Sequence, residues 1–439
     1  MARQAYRASL FHLPDAPDGG RPPLDGWFAD GGLLIEDGVV VEAGAWETIG
    51  PRLPRDVPVT RYSHALIVPG FVDAHVHFPQ IDMIASHGVQ LMGWLTDYTY
   101  PVEERFADPQ LARQTADFFL DQLLRHGTTT ALVFATVHKS SVEALFESAL
   151  ARNMRLIGGK VLMDRNAPAG ICDTAETGYR DSQALIRAWH GRGRLGYAVT
   201  PRFALTSSER QLELAGRLLS ENPGVRLHTH LAENHEEIAI VRRMFPDCRD
   251  YLAVYEKFGL ATRHSVFAHG VHLSDSEWQR LGKCGSALAF CPTSNLFLGS
   301  GLFDCASAGF HHVPVGLGTD VGAGTSLSLL QTMNEAYKVS QLRKAPIDVF
   351  QLFHMATLGG ARALKLDHKI GNFLPGKEAD FLVLDLKATA LIARRLAQVK
   401  AVQDVLFALA VLGDDRAVAE TFVAGKRVYR KSPDTGSAP

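Results

Sequence analysis

From about residue 66 to residue 330, short apolar runs alternate with segments whose apolar positions recur every three or four residues. Such alternation predicts βαβ units and a parallel sheet. Eight runs read as strands: ALIVPGFVDAH (65–75), TTTALVFAT (128–136), RLIGGKVLM (155–163), LGYAVTPRF (195–203), VRLHTH (225–230), SVFAHG (265–270), SALAFCP (286–292) and VPVGLGTD (313–320). Helix starts are expected between them, with Pro109 at a first helical position after Asp108 and capping-box pairs at Ser140/Glu143, Thr206/Glu209 and Ser274/Glu277. Gly127 and Gly191 supply helix stops. Eight β/α repeats over ~250 residues predict an α/β fold of the (β/α)8 TIM-like barrel type.

Both chain ends read as β structure. Asp37-Gly38 in LLIEDGVVVE is a two-residue hairpin turn, DFLVLDL (380–386) is a strand, and AETFVAGKRVYR (419–430) is a strand bent at Gly425. The last residues, SPDTGSAP, read as a frayed end. An open doubly wound sheet would carry GxGxxG or GxxxxGK[ST] after an early strand, and neither occurs. The glycines of GLGTDVG (316–322) instead suit a tight strand-to-helix turn.

The 439 residues are 46% hydrophobic and 21% charged, a globular composition. Forty-five Lys plus Arg against 47 Asp plus Glu leave a formal charge of -2, so no basic field exists to draw nucleic acid or an anionic membrane. The N-terminal segment has no apolar core for a secretion leader, and no run approaches the ~18 apolar residues of a membrane span. Five cysteines, an odd number without a CxxC pair, argue against a disulfide framework and for a reducing, cytoplasmic setting.

Among the 18 histidines, placement matters more than number. His75, His77, His230, His269 and Asp320 all end predicted strands, where the mouth of a barrel opens. Residues i and i+2 of a strand share a face, so His75 and His77 send two imidazoles to one side. Adding His230 and Asp320 gives three nitrogens and a carboxylate, a set suited to Zn2+ or Fe2+ with one position left for water. Glu233, three residues after His230, can then act as acid and base on a metal-activated water. His269 can bind the metal or hydrogen-bond the attacking hydroxide, and the second role is favoured. His228 precedes its strand end and is expected to pack in or below the barrel. His235, Glu236 and Glu237 read as a solvated first helical turn, and His272 as a loop residue.

PGFVDAHVH, THLAE, the strand-end His269 and GLGTD resemble the strand-one, five, six and eight motifs of the amidohydrolase superfamily, over about residues 60 to 386 and including GKEADFLVLD. More narrowly, HVHFPQ, LMGWLTDYTYPVE, TPRFALTSSE, THLAENHEE, CPTSNLFLGSG and GTDVGAGTSLS are similar, in order, to the guanine deaminase family. This resemblance implies a barrel over residues 66–370 and a small composite β-sandwich domain from residues 1–65 and 371–439. It implies one Zn2+ per subunit, with Fe2+ as alternative, held by His75, His77, His230 and Asp320. Glu233, His269 and Asp320 are implied as catalytic, and His77, Gln80, Arg202, Phe203, His230, Glu233 and Asp320 as binding a purine base. A cytoplasmic homodimer is implied as the assembly. Some superfamily members bridge two metals with a modified Lys; Lys160 is the candidate, but it lies mid-strand, and a one-metal site leaves it without a role.

The implied reaction is hydrolytic deamination of guanine to xanthine and ammonia. Two alternatives stand beside it. One is a related hydrolase acting on another aminopurine, a pterin, a cytosine-like ring or an aminotriazine; the other is a catalytically silent metal-binding barrel.

Overall fold

The computed structural model describes residues 3–17, 24–88 and 90–432. Its eight successive parallel strands are Phe71–His77, Thr128–Phe134, Arg155–Gly159, Leu195–Pro201, Arg226–Leu231, Ser265–His269, Ala287–Phe290 and Val315–Leu317. Each pairs with the next in parallel register. The first and eighth strands meet at the mouth, where Asp320 N–H donates to the His75 carbonyl (2.9 Å) and His77 N–H donates to the Val321 carbonyl (3.0 Å). The seam of the barrel is thus closed by the backbone of the residues that carry its chemistry. One buried cluster joins Val72, Leu132, Ile157, Ala198, Val266 and Ala287, from six of these strands, to Ala361 of the helix Leu358–Ala363.

Two of the expected strands divide. The run at 65–75 splits at Gly70, with Val59–Pro69 in the smaller sheet and Phe71–His77 in the barrel. A Cβ at Gly70 would lie 2.1 Å from Thr129 Oγ1, so only glycine lets the chain cross there. The third run breaks at Lys160, and Val161–Leu162 pairs separately with the end of the fourth strand.

Between strands the helices lie as amphipathic elements. Glu209–Glu221, for example, buries Gln211, Leu212, Leu214, Ala215 and Leu218. Asp108 caps its helix by accepting from Gln110 N–H, and Ser274 with Glu277 forms a reciprocal capping box. The other two expected boxes do not form. Helix Lys139–Ala151 begins one residue before Ser140, whereas Thr206 is taken into a short turn, so that Ser208 becomes the cap.

The two chain ends share one mixed seven-stranded sheet, in the order Lys426–Arg430, Val418–Val423, Phe381–Asp385, Val59–Pro69, Arg3–Phe11, Trp27–Glu36 and Val39–Ala45. Glu36 pairs with Val39 across a turn in which Asp37 (φ 50°) and Gly38 (φ 82°) are both left-handed, as a two-residue hairpin requires. Residues 419–430 are a second hairpin turned by Ala424 and Gly425 rather than one bent strand. Tyr6, Phe381 and Phe422 form its aromatic core, the last two stacked 4.2 Å apart. Arg155 and Arg194, at the starts of barrel strands, clasp Glu378 and Asp380 just before this sheet.

All five cysteines are free thiols. Among the described residues no helix is long and apolar enough to cross a membrane. The tail from residue 433 onward lies outside the described residues.

Candidate active site

Strand ends bring the histidines together. His75 Nε2 lies 3.2 Å from His77 Nε2 and 3.0 Å from Asp320 Oδ1, while His77 Nε2 is 3.3 Å from the same oxygen. One atom each from His75, His230, His269 and Asp320 lie within 4.8 Å of one another. His269 Nε2 sits 3.3 Å from Glu233 Oε2 and 3.8 Å from Asp320 Oδ2, so this imidazole faces the acid as much as the cluster. Three residues here hold left-handed backbone without being glycine: Ala232 (φ 50°), His269 (φ 71°) and Asp320 (φ 50°). Such backbone persists only where the surrounding structure imposes it.

Supporting bonds fix the rings of His230, His269 and His75. His230 Nδ1 is 2.7 Å from the Arg202 carbonyl, so Nδ1 carries the proton and Nε2 presents a lone pair. His269 Nδ1 is 2.9 Å from Asn295 Oδ1, and His75 Nδ1 is 2.7 Å from His228 Nε2. Beneath them, Asp73 accepts from the backbone N–H of His75 and from the N–H and hydroxyl of Thr319, joining strand one to strand eight. Gly318 allows this closeness, since a Cβ there would come within 2.9 Å of His75 Cβ.

Burial sets the electrostatics. It pushes His77 down to about 3 and His230 well below the usual histidine range, leaving neutral imidazoles of the kind a metal requires. Burial opposes ionisation of Asp320, but His75, His77 and His269 hold its carboxylate well below the usual range. Glu233 goes the other way: burial and then the neighbouring Asp320 raise it to about 8, against the pull of Ser300 Oγ, which donates to Oε1 at 2.9 Å. The atoms of His75, His230, His269 and Asp320 that lie within 4.8 Å of one another are a donor set that fits Zn2+ or Fe2+, and His77 stands outside that group with Nε2 3.3 Å from Asp320 Oδ1.

A pocket opens over this cluster, about 390 Å³ including its solvent-open mouth. His77, His230, Glu233, His269 and Asp320 line it together with Gln80, Arg202, Phe203 and Ser294, and Leu91, Trp94, Leu95, Leu298 and Ala323 add apolar surface. A flat ring with a few polar edges suits such a mixture.

The amidohydrolase family pattern matches residues 66–428, more than half of the chain. The chain belongs to the amidohydrolase family. It is similar to the guanine deaminase of Escherichia coli (strain K12), with 52% identity covering 92% of each chain. The solved structure of E. coli guanine deaminase superposes with a TM-score of 0.95 at 50% identity, covering 98% of this chain and 100% of that one. A guanine deaminase from C. acetobutylicum, solved with guanine bound in its active site, superposes at 0.88 with 25% identity, covering 97% and 100%.

Several residues of this amidohydrolase site escape sequence reasoning. Glu237 is not a solvated helix-start residue; it is fully buried, caps Glu233 and Asn234 N–H, and accepts from Tyr251 Oη at 2.6 Å. The Asn234-x-x-Glu237 spacing is a capping box, and that signal was available. His272, a loop residue, lies 2.7 Å from the Ser300 carbonyl through Nε2, beside the His235 ring. Lys160 commits its ammonium to Asp173 and the Val161 carbonyl. Asp73 shares the strand face of His75 and His77, a period-2 signal that could have found it. Asn295, Ser300 and Glu103 carry no such signal, because each comes from a loop or short helical turn.

Proposed function

We propose that this amidohydrolase hydrolyses guanine to xanthine and ammonia, with residues 66–370 as its catalytic unit and one zinc ion, iron(II) being the alternative, held by His75, His77, His230 and Asp320. The bound ion supplies Lewis acidity that brings a water molecule toward ionisation near neutral pH. His75 and His77 share Oδ1 of Asp320, which supports placing both as ligands, whereas the approach of His269 to Glu233 supports a role beside the acid.

One observation carries the reading: the buried carboxyl of Glu233 stands 3.3 Å from His269 Nε2 and lines one pocket with Asp320, Gln80 and Arg202. In its ionised form a carboxyl so placed accepts the proton of the attacking water and delivers it to a ring nitrogen, which makes the amino-bearing carbon electrophilic. His269 and the ionised Asp320 orient the attacking oxygen by hydrogen bonds. The added hydroxyl then gives its remaining proton, by way of Asp320 or Glu233, to the departing amine; the carbonyl of xanthine forms as the C–N bond breaks and ammonia leaves. Gln80 and Arg202 hold one edge of the base, Phe203 lies against it, and His77 and His230 also meet it. The relative solved with guanine in its active site supports the same choice of substrate.

Ammonia release from guanine, before and after chelation and after zinc is returned, tests this. Loss on chelation and recovery with zinc are expected. No release from guanine by metal-replete protein, with release from a pterin, cytosine or an aminotriazine, would overturn the substrate; no release from any ring would favour the silent barrel. We place the enzyme in the cytoplasm, supported by five unpaired thiols, and infer the homodimer that the family resemblance implies.

A further inference from the structure

Glu103 lies on the short helix Tyr100–Glu104, in the excursion between the first barrel strand and helix Pro109–Arg125, and it is 1% exposed. Each of its oxygens is taken. Oε1 accepts from Gln80 Nε2 at 2.9 Å, and Oε2 accepts from Arg202 Nη1 at 2.7 Å. Gln80 Oε1 in turn accepts from Gly322 N–H at 3.1 Å.

These partners leave no freedom in the orientation of the Gln80 amide. A carboxylate can only accept and a backbone N–H can only donate, so Nε2 must face Glu103 and Oε1 must face Gly322. A flipped amide would set acceptor against acceptor and donor against donor. One Nε2 hydrogen serves Glu103, and the second is what Gln80 can offer the pocket it lines. Arg202, which also lines the pocket, has only N–H donors to offer, and its charge is already matched by Glu103. Glu103 is not among the residues lining the pocket, and Gln80 turns its oxygen to Gly322 N–H, so the side-chain groups that Gln80 and Arg202 present on this edge are donors.

We propose that Glu103 is a specificity-determining positioning residue: by bridging Gln80 and Arg202 it makes one edge of the pocket donor-only, which selects a ring carbonyl and rejects a ring amine at the same position. This rests on the guanine reading above. Guanine and 2,6-diaminopurine carry the same 2-amino group, but guanine presents an oxygen at carbon 6 where the other presents a donor. A donor-only edge satisfies the first and leaves buried N–H groups unpaired against the second, a mismatch that discriminates far more strongly than shape.

The experiment compares kcat/KM for guanine and for 2,6-diaminopurine, with zinc content measured throughout. The natural enzyme should favour guanine by at least about 100-fold. E103Q sets an amide donor against one of its two partners, so the ratio should fall about tenfold or more, chiefly through KM for guanine, at unchanged zinc stoichiometry. In Q80E/E103Q the hydrogen bonds can be remade with polarity reversed: position 103 donates to position 80, whose carboxylate accepts from Gly322 N–H. That pair should therefore shift preference further toward 2,6-diaminopurine, which a merely structural role for Glu103 does not predict. Should E103Q fail to fold, Q80M leaves the Glu103–Arg202 pair intact and should still lower the ratio. A ratio unchanged in these variants, with both substrates slowed alike, overturns the inference while leaving guanine turnover in place. Absence of guanine turnover in the natural enzyme overturns the reading on which it rests.

Discussion

His228 stands behind His75, its Nε2 2.7 Å from His75 Nδ1 in a fully buried contact. His75 turns its other nitrogen, Nε2, toward His77 and Asp320. The nitrogen aimed at the cluster must bear a lone pair to bind a metal, which leaves the proton on Nδ1 and makes His228 its acceptor. A partner of this kind fixes both tautomer and ring angle, and its removal typically costs 10–100-fold in metal affinity. His228→Ala should therefore weaken zinc binding by about that factor in chelator competition, while His228→Gln, which keeps an acceptor at similar reach, should retain most of it. An unchanged zinc dissociation constant in His228→Ala would show that the contact is packing alone.

Glu233→Gln separates proton transfer from assembly. The amide keeps the size of the side chain and can still accept from Ser300 Oγ, so folding, zinc content and binding of guanine should persist. What it loses is the ability to take and return a proton, a contribution of roughly 10²–10⁴ in rate for a positioned acid–base. Steady-state ammonia release, set beside elemental analysis, should thus show a fall in kcat at constant metal. Near-natural kcat would remove Glu233 from the proton path.

How far the sequence reveals this site follows from the geometry of strands. His75, His77, His230, His269 and Asp320 are legible because they close strands, where apolar runs end and barrel mouths open. Gln80, Arg202 and Phe203 are reached through family resemblance. Glu103 is not legible by pattern, because residues 78–83 and 91–107 fold into very short helical turns without a sustained period, and its contact with Arg202 spans 99 positions. Burial of Glu237 was hidden for a different reason. Its capping spacing is local, but the Tyr251 hydroxyl that covers it belongs to the next helix. The strand boundary at Gly70 escaped because both flanking segments are apolar, and hydrophobicity alone does not say which sheet each joins.

Two histidines outside the His–Asp cluster make stability fall in acid. Burial lowers His12, packed against Phe373 near Lys377, and His354, beside Arg362, to about 4 each. In the unfolded chain an imidazole titrates near ~6.5, so between that value and about 4 the unfolded state binds more protons than the folded one. Stability from these groups is therefore complete above pH ~6.5 and is lost as pH falls through the window, by at most about 3 kcal/mol for each. Asp73, Glu233 and Glu237, all raised by burial, act in the opposite sense, so the slope of any one histidine is read by difference. Thermal midpoints measured from pH 7 to pH 5 should fall less steeply in His12→Gln and in His354→Gln than in the natural protein. Slopes identical in all three would remove these imidazoles from the acid response.

Glu378 should matter to stability and not to chemistry. It lies just before the strand Phe381–Asp385 and accepts from both Arg155 and Arg194, whose side chains are 8% and 9% exposed. Arg194 also pairs with Asp380, but among the described residues Arg155 has no second carboxylate, so Glu378→Ala leaves a nearly buried guanidinium uncompensated. Breaking one side of a buried pair costs about 3 kcal/mol, well above the worth of an exposed one. Arg155 opens its barrel strand, whereas His77 and His269 close theirs, so the damage falls at the end of the barrel away from the pocket. Denaturation midpoints should drop in Glu378→Ala and less so in Glu378→Gln, with kcat for guanine and zinc stoichiometry unchanged below the transition. A midpoint that does not move would show that the clasp between barrel and sheet carries no net stability, and a fall in kcat at full zinc occupancy would show that the composite sheet reaches the active site through it.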